Sequence, residues 1–204
     1  MHLIVGNEVS KRLSIKNRNL FLLGSIAADA TNDKLSTHFY VGDLGLFTRH
    51  IDYEAFIEKY KDIQDNDFIL GYYSHLITDE FWMSGFYVPW LRNRIEKTSD
   101  IQSLYYKDFY LLNSKLLDYY KIQEEVEDIF DIPEKIDLVE EVLDENLNKF
   151  LEYIRDDLNY TREELQEPLK VFTIPQIIGY LETSIEKSVY KINQLKNYGS
   201  ICKF

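Results

Sequence analysis

His75 and Asp79 stand four residues apart within residues 68–84, a stretch whose spacing predicts a helix, so both side chains share one face about a turn apart. A cation can bridge that gap; the pair can equally be a solvent-facing salt bridge. The neighbours favour a cation, because Leu70, Tyr72, Tyr73, Leu76, Ile77, Phe81 and Trp82 leave little of this helix polar. An imidazole and a carboxylate buried there need a partner. Asp29 poses the same question after the apolar run of residues 21–28, where the negative end of a helix disfavours an unpaired carboxylate. It is either a boundary residue turned to water or a group neutralised by a cation. His38, in a polar loop, offers a partner from a separate segment, although alone it reads as an ordinary surface histidine.

These side chains must be positioned by helices. Apolar residues at helical spacing predict an amphipathic helix over 3–13, and the nearly unbroken apolar run of 20–30 predicts a second, buried on all sides. Residues 31–45 read as a loop. Asp52 is a candidate N-cap for a short helix through Tyr60, and residues 64–67 form a capping stretch ahead of the 68–84 helix. Pro89 allows a short continuation or a kink toward Arg94. Further helices are expected over 101–120, 135–158 and 174–195, with Pro133, Pro168 and Pro175 at their boundaries. No internal repeat or low-complexity tract calls for a second unit, so one all-α domain over 1–204 is expected.

Composition supports this. The 8 Gly and 4 Pro are too few for a turn-rich β-sandwich, and 45% apolar residues can fill a sizeable core. A net charge of -12 makes nucleic acid an unlikely partner, although a bound metal could still hold a single phosphate. Cys202 is the only cysteine, which excludes an intrachain disulfide and a thiolate metal cluster. Asn7, Glu8, Lys11 and Arg12 interrupt any leader-like apolar run, and no later stretch is long enough to span a bilayer; a cytoplasmic protein is expected.

Together, the segments Phe21-Leu22-Leu23-Gly24-Ser25-Ile26-Ala27-Ala28-Asp29, Thr37-His38-Phe39 and Gly71-Tyr72-Tyr73-Ser74-His75-Leu76-Ile77-Thr78-Asp79 resemble successive motifs of the zinc-dependent phospholipase C family, itself similar to the single-strand-specific zinc nucleases. The resemblance covers roughly the first 85 residues and implies a multi-helix bundle of that type. It also implies that Asp29, His38, His75 and Asp79 gather around one zinc, with His2 binding a neighbouring zinc and the helix Asp shared. His2 by itself could be no more than a loose terminal histidine. The chain departs from the family in having only 4 histidines, none after His75, so a three-metal site cannot be completed from histidines. One or two Zn2+ ions is the consistent expectation.

The reaction implied is hydrolysis of a phosphoric ester, either a small soluble ester or a phospholipid headgroup, by a zinc-bound hydroxide. Asp29 is the candidate general base by the same resemblance. The alternative is a helical protein with a structural or degenerate zinc site and no activity. A third reading is an interaction module using Glu140, Glu141, Asp144 and Glu145, although such charge runs are usually solvated faces. Phe39, Tyr40, Tyr72, Phe81, Trp82, Phe86 and Tyr87 are candidates for a pocket wall, and equally for core. His50 is expected to be structural or exposed, outside the ligand set.

Overall fold

Glycines set the centre of the molecule. In the computed structural model, which describes residues 1–130 and 139–201, helix α2 (Arg18–Ala27) crosses helix α5 (Asp67–Trp82) with the two backbones in contact. A Cβ added at Gly24 would lie 2.1 Å from the Phe68 carbonyl oxygen, and one at Gly71 would lie 2.0 Å from that of Phe21. No side chain larger than hydrogen fits at either position, so the crossing is as close as two helices can make it. α2 is buried from Phe21 to Ala27 and α5 from Asp67 to Thr78, matching the all-round apolar character of both.

Other helices wrap this pair. α1 (His2–Arg12) packs on α2, with Gly6 leaving room for the Ser25 side chain, and α10 (Ile174–Ile201) lies along α5 and α1. α7 (Ile101–Tyr120), α8 (Asp144–Leu158) and the short α9 (Arg162–Gln166) close the far side. A continuous cluster of buried apolar side chains runs from Leu3 to Ile192. The chain is mostly helical, and no helix among the described residues is long and apolar enough to cross a membrane.

The expected caps are present. Asp52 accepts the Ala55 N–H at 3.0 Å to open α4 (Tyr53–Lys59), and Asn66 accepts the Phe68 N–H at 2.9 Å to open α5. The expected loop of 31–45 is more ordered than its composition suggests. Asp33 caps a one-turn helix, α3 (Lys34–Thr37), and Phe39 takes a left-handed φ of 52°. A two-residue hairpin follows, pairing β1 (Tyr40–Val41) with β2 (His50–Ile51) in the register Tyr40↔Ile51 and Val41↔His50.

Past Trp82 the helix continues as a π-helical segment, Met83–Leu91, containing Pro89, in place of a simple kink; α6 (Arg92–Lys97) follows after the Arg92 N–H bonds to Tyr87 O, five residues back. The helix expected from residue 135 begins at Asp144. Residues 139–143 are not helical because Glu140 and Glu141 are committed to α4: the Glu140 N–H donates to the Tyr60 hydroxyl at 3.0 Å, and Lys59 Nζ sits 2.6 Å from Glu141 Oε1. Asp144 and Glu145 then occupy the favourable first turn of α8. Pro133, Cys202 and residues 135–138 of the expected helix lie outside the described residues.

Candidate metal centre

The α2–α5 crossing carries two carboxylates to one place. Asp29 lies just beyond the end of α2, while His75 and Asp79 project from successive turns of α5. α3 ends at His38, which is fully buried, and α1 begins at His2. All the residues singled out as ligands, His2, Asp29, His38, His75 and Asp79, therefore meet.

The two carboxylates divide their oxygens. Asp79 Oδ2 lies 3.1 Å from His38 Nε2 and 3.5 Å from His75 Nε2, while its Oδ1 lies 3.1 Å from His2 Nε2. Asp29 follows the same plan, with Oδ1 3.6 Å from His38 Nε2 and Oδ2 3.8 Å from His2 Nε2. His38 and His75 bring their Nε2 atoms within 3.4 Å of each other. Two ring nitrogens facing at that distance repel unless a proton or cation lies between them.

The outer ring nitrogens are fixed by the scaffold. His75 Nδ1 donates to Ser25 O of α2 at 2.9 Å, which leaves Nε2 as its lone pair. His38 Nδ1 meets the Thr37 hydroxyl at 2.8 Å, and Tyr72 OH ties down Thr37 by donating to its carbonyl at 2.7 Å. His2 stacks on His75 with centroids 3.7 Å apart, and its Nδ1 is buried without a hydrogen-bond partner among the described residues.

Electrostatics follow from this crowding. Burial opposes charge on His38, but its hydrogen bonds to Asp29 and Asp79 outweigh that and raise its pKa to about 9. Burial and the neighbouring His75 lower His2 to about 4 despite the carboxylates. For Asp29, burial is overcome by the hydrogen bond with His38 and by His75, His2 and Lys34, so it is held far below the usual carboxylate range. Asp79 is likewise depressed, with His2 the main partner that overcomes burial. Lys34 Nζ reaches Asp29 Oδ1 at 2.5 Å.

This donor set suits a divalent cation. Four N or O donors at about 2.0 to 2.1 Å around a tetrahedral ion such as zinc lie roughly 3.3 to 3.4 Å apart. Four of the six edges among His38, His75, Asp79 and Asp29, at 3.1, 3.4, 3.5 and 3.6 Å, bracket that value, and the ligand atoms fall into two close triads, His2–His75–Asp79 and Asp29–His38–His75. The second oxygens of Asp29 and Asp79 face His2, so the same carboxylates could be shared with a second ion.

Beside the cluster opens a cavity of about 490 Å³. Of the aromatics anticipated as its wall, Tyr40, Trp82 and Tyr87 line it. Phe39 instead packs edge-on against Phe56, Tyr72 stacks on Phe56 in the core, Phe81 faces the groove beside α10, and Phe86 backs Trp82 from behind at 4.8 Å. Sequence reasoning missed Lys34 and Arg49, which reach the cavity from either side of His38, and Asn113, Asp157 and Tyr180, which come from α7, α8 and α10. Lys34, four residues before His38, was a usable signal; nothing local marks Arg49 or the other three. His50 is exposed, its Nδ1 bonded to Thr48 O at 2.9 Å, and stands apart from the cluster as expected.

Comparisons with protein-family models, with curated proteins and with solved structures find no match to this chain.

Proposed function

We propose that this chain is a zinc-dependent hydrolase of phosphoric esters of the phospholipase C type, holding one or two zinc ions and acting on a small phosphoester or a phospholipid headgroup. The observation that carries the reading is the convergence of His2, Asp29, His38, His75 and Asp79 at the wall of a cavity large enough for a small organic ligand. His38, His75, Asp29 and Asp79 would hold one ion, and His2 with the outward oxygens of the two carboxylates a second. Zinc held there supplies electrophilic polarisation of the phosphoryl group and acidifies water.

The chain's own groups do the rest. Asp29 Oδ1 is taken by Lys34 and faces His38, whereas Oδ2 lies 3.8 Å from His2, so that with a single ion held on the Oδ1 side Oδ2 is left to accept a proton. As water attacks phosphorus and the ester P–O bond breaks, Asp29 takes the water proton and can return it to the departing oxygen. Ser25 O and Thr37 hold the His75 and His38 rings against rotation throughout.

One observation favours the rival, a structural or degenerate metal site: among the described residues no fourth imidazole joins the cluster, since His50 points elsewhere. The open cavity weighs against it, because a structural site is closed by its protein ligands. For the interaction-module reading over Glu140, Glu141, Asp144 and Glu145, the pairing of Glu140 and Glu141 with Lys59 and of Glu145 with Lys149 is that of an ordinary solvated face and adds no support.

Metal analysis of the purified protein, followed by hydrolysis of bis(p-nitrophenyl) phosphate with and without chelator, tests the proposal. Zinc-dependent turnover that vanishes in His75→Ala and Asp79→Ala, and persists in His50→Ala, is the expected result. Zinc retained without turnover on any phosphoric ester selects the structural rival.

A further inference from the structure

Arg49 stands out within the cavity. It precedes β2, is half-buried, and lines the same space as Asp29 and Asp79. Its guanidinium lies 5.6 Å from the centroid of the Tyr40 ring, and Tyr40 in turn stacks parallel to His38 with centroids 5.6 Å apart. Arg49 has no ion pair among the described residues, and its buried Nε has no hydrogen-bond partner there. Lys34, the other cation of the cavity, is different because Asp29 already holds it.

An arginine that is always charged, partly desolvated and stacked on an aromatic face is ordinarily matched by a carboxylate. Leaving a buried guanidinium N–H unmet is costly unless an anion completes it. Part of the cavity lining is aromatic: Trp82 stacks on Phe86 at 4.8 Å and meets Phe109 edge-on at 5.1 Å, and Tyr105 lines the same space, with Asp157 the acidic residue contributed by α8.

We propose that Arg49 is the specificity-determining residue that grips a non-bridging oxygen of the ligand phosphate, and that the organic part of this ligand is apolar and lies on the Trp82, Tyr105 and Phe109 wall. This rests on the hydrolase reading and deepens it. The planar guanidinium fork matches two phosphate oxygens at once. Tyr40 holds the fork between the hairpin and the metal cluster, so the phosphate is oriented before the ester bond is presented to Asp29. An apolar ring or chain then fills space that a hydrated or charged group would leave poorly packed.

Calorimetric titration of zinc-loaded protein with phenylphosphonate, methylphosphonate and inorganic phosphate tests this, with zinc content measured first. Phenylphosphonate should bind at least tenfold more tightly than methylphosphonate. Arg49→Met should weaken both by roughly tenfold to a hundredfold, the range for losing hydrogen bonds to a charged group. Its zinc content should stay at the wild-type level. Arg49→Lys, which keeps the charge and loses the fork, should fall between; it also carries the test if the melting curve shows Arg49→Met to be unfolded. Unchanged phenylphosphonate affinity in a folded, zinc-loaded Arg49 variant overturns the assignment while leaving the metal centre intact. Equal affinities for the phenyl and methyl probes overturn the apolar wall. A wild-type protein that takes up no zinc removes the hydrolase reading and this inference with it.

Discussion

Gly71→Ala tests the link between the helix crossing and the proposed metal centre. The added Cβ would sit 2.0 Å from Phe21 O and 2.9 Å from Ser25 N, and both are backbone atoms that no rotamer change can move aside. Ordinary C···O contact begins at about 3.3 Å, so α2 and α5 must separate locally by roughly 1.3 Å. Overpacking of this kind costs about 1 to 3 kcal/mol, here at the upper end because backbone meets backbone, and alanine's better helix propensity returns about 1. A net loss near 2 kcal/mol lowers the melting temperature of a chain this size by about 4 to 8 °C. The same displacement carries Ser25 O, the acceptor for His75 Nδ1, and Asp29 away from α5. Metal donors tolerate errors of only about 0.2 Å, so zinc affinity should fall at least tenfold. Melting followed by circular dichroism and zinc competition against a chromophoric chelator measure the two effects. Gly179→Ala is the control: a Cβ there meets nothing within 4 Å in the second turn of α10, and should stabilise by about 0.5 to 1 kcal/mol. A Gly71→Ala protein that melts and binds zinc like wild type refutes the reasoning.

Two further outcomes follow from other buried groups. Buried Asp108 accepts the backbone N–H groups of Lys170, Val171 and Phe172 at 2.7 to 3.0 Å, so Asp108→Ala strands those donors and should cost about 3 kcal/mol in urea unfolding; a loss under about 1 contradicts it. Burial raises the pKa of Tyr72, Tyr73 and Tyr180, and burial with the Glu141 hydrogen bond raises Tyr60 to about 12. The unfolded chain ionises its tyrosines near pH 10 and so releases protons first, which makes stability fall as pH climbs through about 10 toward 12. Phenolate absorbance should show some tyrosines titrating only on unfolding, and a flat stability curve across that window would contradict the burial argument.

Much of this was legible because local chemistry and position agreed. The apolar run of 21–28 could only be a buried helix, and a His and an Asp one turn apart inside 68–84 could only be reconciled with burial by a shared partner. Asp52 and Asn66 cap the helices they precede for reasons visible in four residues of sequence. What escaped was set by distant partners. The start of α8 depends on Tyr60 and Lys59 holding residues 140 and 141. Arg49 reaches the cavity only because a two-residue ladder sets its register, and Asp157 and Tyr180 meet the site through packing that no local pattern encodes. Gly24 and Gly71 could be read as letters of a motif, but their role needs both helices in view.

Every proposed ion-holding side chain precedes residue 80, while Phe109, Asn113, Phe150, Asp157 and Tyr180 form the facing side of the cavity. The proposed ligands and much of the cavity lining are thereby carried on separate lengths of the chain, with Arg49 and Tyr40 among the lining residues that lie between the ligands. Substitutions along α7, α8 and α10 can therefore reshape the cavity without touching His2, Asp29, His38, His75 or Asp79.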